Sequence, residues 1–118
     1  MTQYSVLFVC LGNICRSPLA EAAFRAAATE AGLEANADSA GTADYHVGQP
    51  PDHRSIATAQ ARGIDISHYR GRQINTSDYT EFSHIFALDH ANLAEIERRA
   101  PPGTTAQIAL LLDALAGR

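Results

Sequence analysis

The sequence is dominated by an apolar run that ends in a cysteine, turns through Gly-Asn and leaves through Arg-Ser-Pro. It reads Ser5-Val6-Leu7-Phe8-Val9-Cys10-Leu11-Gly12-Asn13-Ile14-Cys15-Arg16-Ser17-Pro18. Val, Leu and Phe in succession predict a buried strand. Gly12 and Asn13 are the residue types that most readily accept a positive φ. Ser17-Pro18 predicts a helix start, with Ser17 as the N-cap and Pro18 at the first helical position. A strand, a tight loop and a helix N-terminus in that order make an anion site. Backbone N–H groups converge there, and the helix dipole adds partial positive charge.

The side chains in this loop suit one chemistry. Cys10 opens it and Arg16 closes it. Only a thiolate is a strong sulfur nucleophile, and a free thiol is mostly protonated at neutral pH. Loop N–H groups, a helix N-terminus and a guanidinium all favour the thiolate. The same groups would hold the equatorial oxygens of a phosphate while sulfur attacks in line. Arginine binds two such oxygens at once through its planar fork. The expected site is therefore Cys10 as nucleophile and Arg16 as phosphate clamp, with Leu11, Gly12, Asn13, Ile14, Cys15, Arg16 and Ser17 forming the phosphate-binding loop. Ser17 could also donate its hydroxyl to the Cys10 thiolate. An ATP- or GTP-binding loop is excluded, because the Gly-Lys-Ser/Thr ending is absent.

Composition narrows the rest. A chain of 118 residues with 46% apolar residues suits one domain over 1–118. The net charge of -4 argues against a nucleic-acid partner. No apolar run approaches membrane-spanning length, and the start lacks the basic residues of a signal peptide. A cytoplasmic protein without a membrane partner is the expectation. Two cysteines cannot make a disulfide scaffold, and five scattered histidines make no metal site. No cofactor is expected. Cys15 reads either as a redox partner or as a small buried residue.

The segment Val9–Pro18 closely resembles the active-site loop of the low molecular weight protein tyrosine phosphatases. The resemblance continues through Ser39-Ala40-Gly41-Thr42, Tyr45-His46-Val47-Gly48, Pro51-Asp52, Gly63-Ile64, Arg72-Gln73 and Asp89-His90-Ala91-Asn92. It implies a three-layer α/β sandwich, with helices on both faces of a four-stranded parallel sheet. It implies hydrolysis of a phosphotyrosine-containing protein or a small aryl phosphate through a cysteinyl-phosphate, with inorganic phosphate or vanadate as inhibitors. It also implies that Ser39 lies close to the loop and supports it, that Tyr45 and Leu11 wall the aryl pocket, and that Arg72-Gln73 is structural. A reversible Cys10–Cys15 disulfide is a further implication. Many relatives have His where Tyr69 stands.

Along the chain, a first helix is expected over 18–31 and stopped by Gly32. Leu19, Ala22, Ala23, Ala26 and Ala27 would face the sheet, and Glu21 would complement the dipole. A second strand is expected over 33–39. Asp52 would cap a helix over 53–62 that Gly63 ends. A third strand is expected over 82–88, then Asp89 as cap of a helix ending before Pro101-Pro102-Gly103. A fourth strand is expected over 108–112. Strand and helix alternate, which implies a parallel sheet with ligands at its C-terminal edge.

Members of the resembled family continue into an Asp-Pro-Tyr loop that carries the general acid, and then a last helix. No Asp-Pro pair occurs in this sequence, and Asp113 is too near the fourth strand to replace it. The expectation is weak turnover, a sheet face left partly uncovered and a shortened or truncated form. Two alternatives stay open. One is an oxyanion-binding relative without turnover. The other is an arsenate reductase, disfavoured because no cysteine follows Cys15 to resolve the reaction.

Overall fold

A computed structural model describes residues 4–115. Its strands are β1 (Tyr4–Cys10), β2 (Ala35–Gly41), β3 (His84–Ala87) and β4 (Gln107–Leu110). They pair in the order β2-β1-β3-β4, and every pair is parallel. The expected α/β class and four-stranded parallel sheet are therefore observed. The first strand of the chain, β1, is one of the two inner strands, with β3 as the other. Cys10 stands opposite Gly41 at its C-terminal end, and Val9 stands opposite Ala87.

Side chains of β1 alternate between the two faces, as a pleated strand requires. Leu7 and Val9 join Ala40, Ile85, Ala87, Ile96 and Leu110 in one core. That core is covered by α4 (His90–Arg99), which supplies Ile96 and Leu93. Val6 and Phe8 point the other way, with Ala37, toward Ala20 and Phe24 of α1 (Arg16–Ala31). The two helices thus lie on opposite faces. Fully burying a side chain such as Leu7 or Ile85 contributes about 1.5–3 kcal/mol. A third cluster joins α1 to α2 (His53–Gln60) through Ala22, Ala59 and Ile66.

Several expectations need correction. Helix α1 begins at Arg16, two residues before the predicted start, and Cys15 is its N-cap without a side-chain cap bond. Ser17 is no cap, because its hydroxyl is engaged elsewhere. Ala23, Ala26 and Ala27 are exposed; the inner face is Ser17, Pro18, Glu21, Ala22 and Ala28. An alanine-rich helix has little hydrophobic contrast, so the sequence does not mark its inner stripe. Strand β2 runs to Gly41, past the predicted limit of Ser39. Two short helices were not expected: α3 (Asp78–Glu81) and α5 (Leu111–Leu115). The latter takes two positions assigned to the fourth strand's region. Leu112 and Leu115 of α5 are exposed.

Other local signals hold. Gly32 sits at φ 69° as the α1 C-cap. Asp52 accepts from the Arg54 N–H and caps α2. Asp89 accepts from the Asn92 N–H and caps α4. Among the described residues, no helix is long and apolar enough to cross a membrane.

Candidate active site

Cys10 closes strand β1 and is buried, at 3% exposure. The chain then turns through residues 11–15 before α1 begins. Asn13 makes that turn possible, with φ at 59°. Its own N–H points back to Cys10 Sγ at 3.3 Å. The N–H groups of Leu11, Gly12, Ile14 and Cys15 find no acceptor among the described residues. These donors belong to a loop whose carbonyls are tied down from outside. Thr42 donates to Cys10 O, Ala43 to Leu11 O and Asp52 to Ile14 O, all within 2.9 Å. Ser55 Oγ donates to Cys15 O at 3.3 Å. Carbonyls turned outward leave the N–H groups for the interior, where an anion would meet them.

Gly41 lies directly under this loop. A Cβ there would stand 2.7 Å from Leu11 O and 3.1 Å from Gly12 C. Both contacts are with backbone, so no side-chain adjustment could relieve them.

A chain of hydrogen bonds reaches the sulfur. The Arg72 backbone N–H donates to Asn13 Oδ1 at 2.9 Å. Asn13 Nδ2 must then be the end that faces Ser17, donating to its Oγ at 2.8 Å. Ser17 Oγ lies 3.0 Å from Cys10 Sγ and is fully buried. With Asn13 as its donor, Ser17 has its single hydrogen left for the sulfur. The helix-cap role and the thiol role compete for one hydroxyl, and the thiol takes it.

Arg16 occupies the first turn of α1. Its side chain is about half exposed, and its Nη2 meets Asp89 Oδ2 at 3.0 Å. Asp89 uses its other oxygen for Asn92 N and Nδ2. The Asn92 N–H, with help from the Arg16 guanidinium, holds the Asp89 carboxyl below the usual carboxylate range. Cys15 is exposed and Cys10 buried, and both are free thiols. The small-buried-residue reading of Cys15 is therefore overturned.

Ser39 and Tyr45 fall in different surroundings. Ser39 lies on β2, and its hydroxyl donates to Glu21 Oε1 at 2.8 Å. It therefore braces α1 and not the loop directly. Glu21 is buried at 4% exposure and lies beyond the first turn of α1, which holds no acidic residue, so it is not the dipole partner expected. Burial pushes its carboxyl up, while Ser39 and Arg25 pull it back. Tyr45 and Leu11 are both exposed. Tyr45 packs edge-on against His46, with ring centroids 6.5 Å apart. His46 in turn lies over Gly12, so close that a Cβ at that glycine would meet the ring at 2.9 Å. Tyr45 is thereby set at the rim of the loop.

Two partnerships were missed in the sequence. One is the Arg16–Asp89 pair. The other is Arg72, whose guanidinium meets Asp78 twice at 3.0 Å and Asp38 at 3.1 Å. Burial works against its charge, but Asp78 and Asp38 prevail and hold it above its ordinary value. No group of three or more His, Cys, Asp or Glu suited to a metal occurs among the described residues.

Comparison with known proteins matches this arrangement. The profile of the family described as low molecular weight phosphotyrosine protein phosphatase covers residues 5–116. A protein of that name from Schizosaccharomyces pombe is 49% identical over 108 residues, which are 89% of this chain and 69% of the yeast protein. The solved structure of YfkJ from Bacillus subtilis superposes with a TM-score of 0.91 at 39% identity, over 100% of this chain and 76% of that one. DARP, a Drosophila arginine phosphatase, superposes at 0.88 with 38% identity, over 96% and 73%.

Proposed function

The chain belongs to the low molecular weight phosphotyrosine protein phosphatase family, and from that premise we propose that it hydrolyses phosphotyrosine and other aryl phosphates through a cysteinyl-phosphate. One observation carries this reading. Cys10 Sγ sits at the mouth of a loop that aims one N–H and one hydroxyl at the sulfur and leaves four further N–H groups without an acceptor.

The proposed sequence has two displacements. Cys10 thiolate attacks phosphorus, forming an S–P bond as the P–O bond to the aryl group breaks. The aryl oxygen leaves with that electron pair and takes a proton from solvent. Water then attacks phosphorus and releases a proton to solvent, the S–P bond breaks, and the electron pair returns to Cys10. Inorganic phosphate departs. The loop N–H groups stabilise charge on the equatorial oxygens through both steps. Arg16 exchanges its exposed partner Asp89 for two phosphoryl oxygens. Such an exposed ion pair is worth only about 0.2–1 kcal/mol, so a dianion displaces it readily. The Ser17 hydroxyl supports the sulfur as nucleophile and as leaving group.

Leu11 and Tyr45, exposed at the rim, would flank an aryl ring. Residues 1–118 act as one domain in the cytoplasm, without a cofactor, and phosphate or vanadate would compete for the loop. DARP pairs a similar fold with the name arginine phosphatase, which makes phosphoarginine the competing substrate class.

The test is phosphate release from para-nitrophenyl phosphate by the chain and its Cys10→Ser variant. Turnover that Cys10→Ser abolishes is expected. A folded chain that binds vanadate without turnover would favour an oxyanion-binding protein instead. Matched phosphotyrosine and phosphoarginine peptides, run alongside, are expected to favour the aryl ester.

A further inference from the structure

We propose that the Asp38–Arg72–Asp78 clamp is a positioning device for the reactive sulfur, a role that rests on the phosphatase reading above. The clamp fixes the Arg72 backbone N–H, which orients the Asn13 carboxamide, which in turn directs the Ser17 hydrogen to Cys10.

The Arg72 guanidinium is fully engaged. Its Nε donates to Asp38 Oδ2, and its Nη1 and Nη2 donate to the two oxygens of Asp78. Nη2 also lies 3.1 Å from Asp38 Oδ2. A guanidinium held on every edge by two carboxylates has no fork to offer a phosphate. Its strength goes into place-holding. Asp78 is 2% exposed, and its Oδ2 also accepts the Asn75 N–H at 2.9 Å, which sets the carboxylate itself.

The Arg72 backbone carries that rigidity to the site. Its carbonyl accepts from Gly41 N at 2.8 Å, and Ile74 N donates to Gly41 O at 2.8 Å. The segment is thus stitched to the end of β2, beside Cys10 in register. What remains is the Arg72 N–H, which donates to Asn13 Oδ1.

The direction of this bond matters. A backbone N–H can only donate, so the carbonyl end of the Asn13 amide must face it. The amino end then faces Ser17, occupies an Oγ lone pair, and leaves the hydroxyl hydrogen for sulfur. Were the amide to turn over, Oδ1 would face Ser17 and draw that hydrogen away from Cys10. The clamp therefore decides which way a proton points two residues away from it in the hydrogen-bond chain.

The experiment uses the full chain with Asp78→Asn, alone and combined with Ser17→Ala. The amide keeps the carboxylate's shape but loses its charge. In the otherwise natural chain, kcat for para-nitrophenyl phosphate is expected to fall about tenfold, with KM nearly unchanged. In the Ser17→Ala background, the same substitution should cause no further fall. Unchanged kcat in a folded Asp78→Asn protein, or an equal fall in both backgrounds, overturns the proposal. If circular dichroism shows that Asp78→Asn does not fold, Asp38→Asn takes its place, with a smaller fall and the same loss of effect in Ser17→Ala. Alkylation of Cys10 by iodoacetamide, scored by mass spectrometry, separates this proposal from the phosphatase reading because it needs no turnover. Alkylation should slow in Asp78→Asn and be indifferent to it in Ser17→Ala, whereas failure of the phosphatase reading would appear as absent or Cys10-independent hydrolysis by the unsubstituted chain.

Discussion

Arg16 Nη2 meets Asp89 Oδ2 at 3.0 Å, so the cation at the end of the loop is joined to the cap of a helix 73 residues further along. Asp89 thereby serves α4 with one oxygen and Arg16 with the other. A phosphate dianion arriving at the loop would have to share Arg16 with this carboxylate. Asp89→Asn removes the competing charge and keeps a good cap. The inhibition constant for inorganic phosphate is expected to fall by up to about fivefold, the equivalent of roughly 1 kcal/mol. An unchanged or weaker phosphate affinity in a protein of unaltered melting temperature would count against the competition.

Ser17→Ala removes the hydroxyl that faces Cys10 Sγ at 3.0 Å. A hydrogen bond to a charged group is worth about 1.5–3 kcal/mol. A fall in kcat of roughly 10–100-fold follows if sulfur carries charge on attack or departure. Single-turnover kinetics with an activated aryl phosphate would show which displacement slows.

Asn13 combines a left-handed backbone with the amide of the hydrogen-bond chain, and two substitutions separate these duties. Asn13→Gly keeps the φ without strain and loses the amide. Asn13→Ala loses both, at an added backbone penalty of about 1–2 kcal/mol. Both variants should lose kcat, while Asn13→Ala should melt lower than Asn13→Gly. Equal melting temperatures would mean that the turn is not strained by a Cβ.

Glu21 gives the fold a pH dependence with a defined sign. Burial raises its carboxyl above the ordinary value of 4.5, against the pull of Ser39 and Arg25 and with a small push from Asp38. The folded chain therefore holds this proton more tightly than the unfolded chain. Its contribution is fully present below pH 4.5 and is lost as pH rises through the folded value. Glu21→Gln cannot titrate. The difference in melting temperature between Glu21→Gln and the natural chain should shift in favour of the variant as pH is raised from about 4.5 to 7. A flat difference over that range would contradict the burial argument.

Tyr79 is buried at 1% exposure and donates its hydroxyl to Ile96 O at 2.7 Å. Tyr79→Phe leaves that carbonyl without its donor and should destabilise the fold by about 1–2 kcal/mol. Urea denaturation would show a lower midpoint at unchanged slope.

Local information made β1, its loop, the C-terminal end of α1 and the N-terminal end of α2 readable. An apolar run, Gly-Asn, Gly32 and Asp52 each act within a few residues of themselves. The N-cap at Ser17 was misread for a physical reason: the residue type is right for a cap, but its hydroxyl is taken by a sulfur seven residues earlier. The Ser39–Glu21 bond was not readable, because Glu21 lies 18 residues away on a helix whose inner face alanine conceals. The resemblance implied a structural Arg72 but not its partners, because Asp38 stands 34 residues before it and Asp78 stands 6 residues after it. The Arg16–Asp89 pair spans most of the chain, and no local pattern announces it.

The strand order β2-β1-β3-β4 has a consequence for how activity is acquired during folding. The loop is written within the first seventeen residues, but its outer ties come from residues 42, 43, 52 and 55, its amide anchor from 72 and its ion-pair partner from 89. β1 itself waits for β3, whose residues are 78 positions later in their register. Contacts of such long range form late and slowly, since loop closure must come first. A nascent or partly folded chain therefore carries the cysteine long before it carries a phosphate site, and recovery of hydrolysis after refolding would time the last docking step and not the collapse of the core.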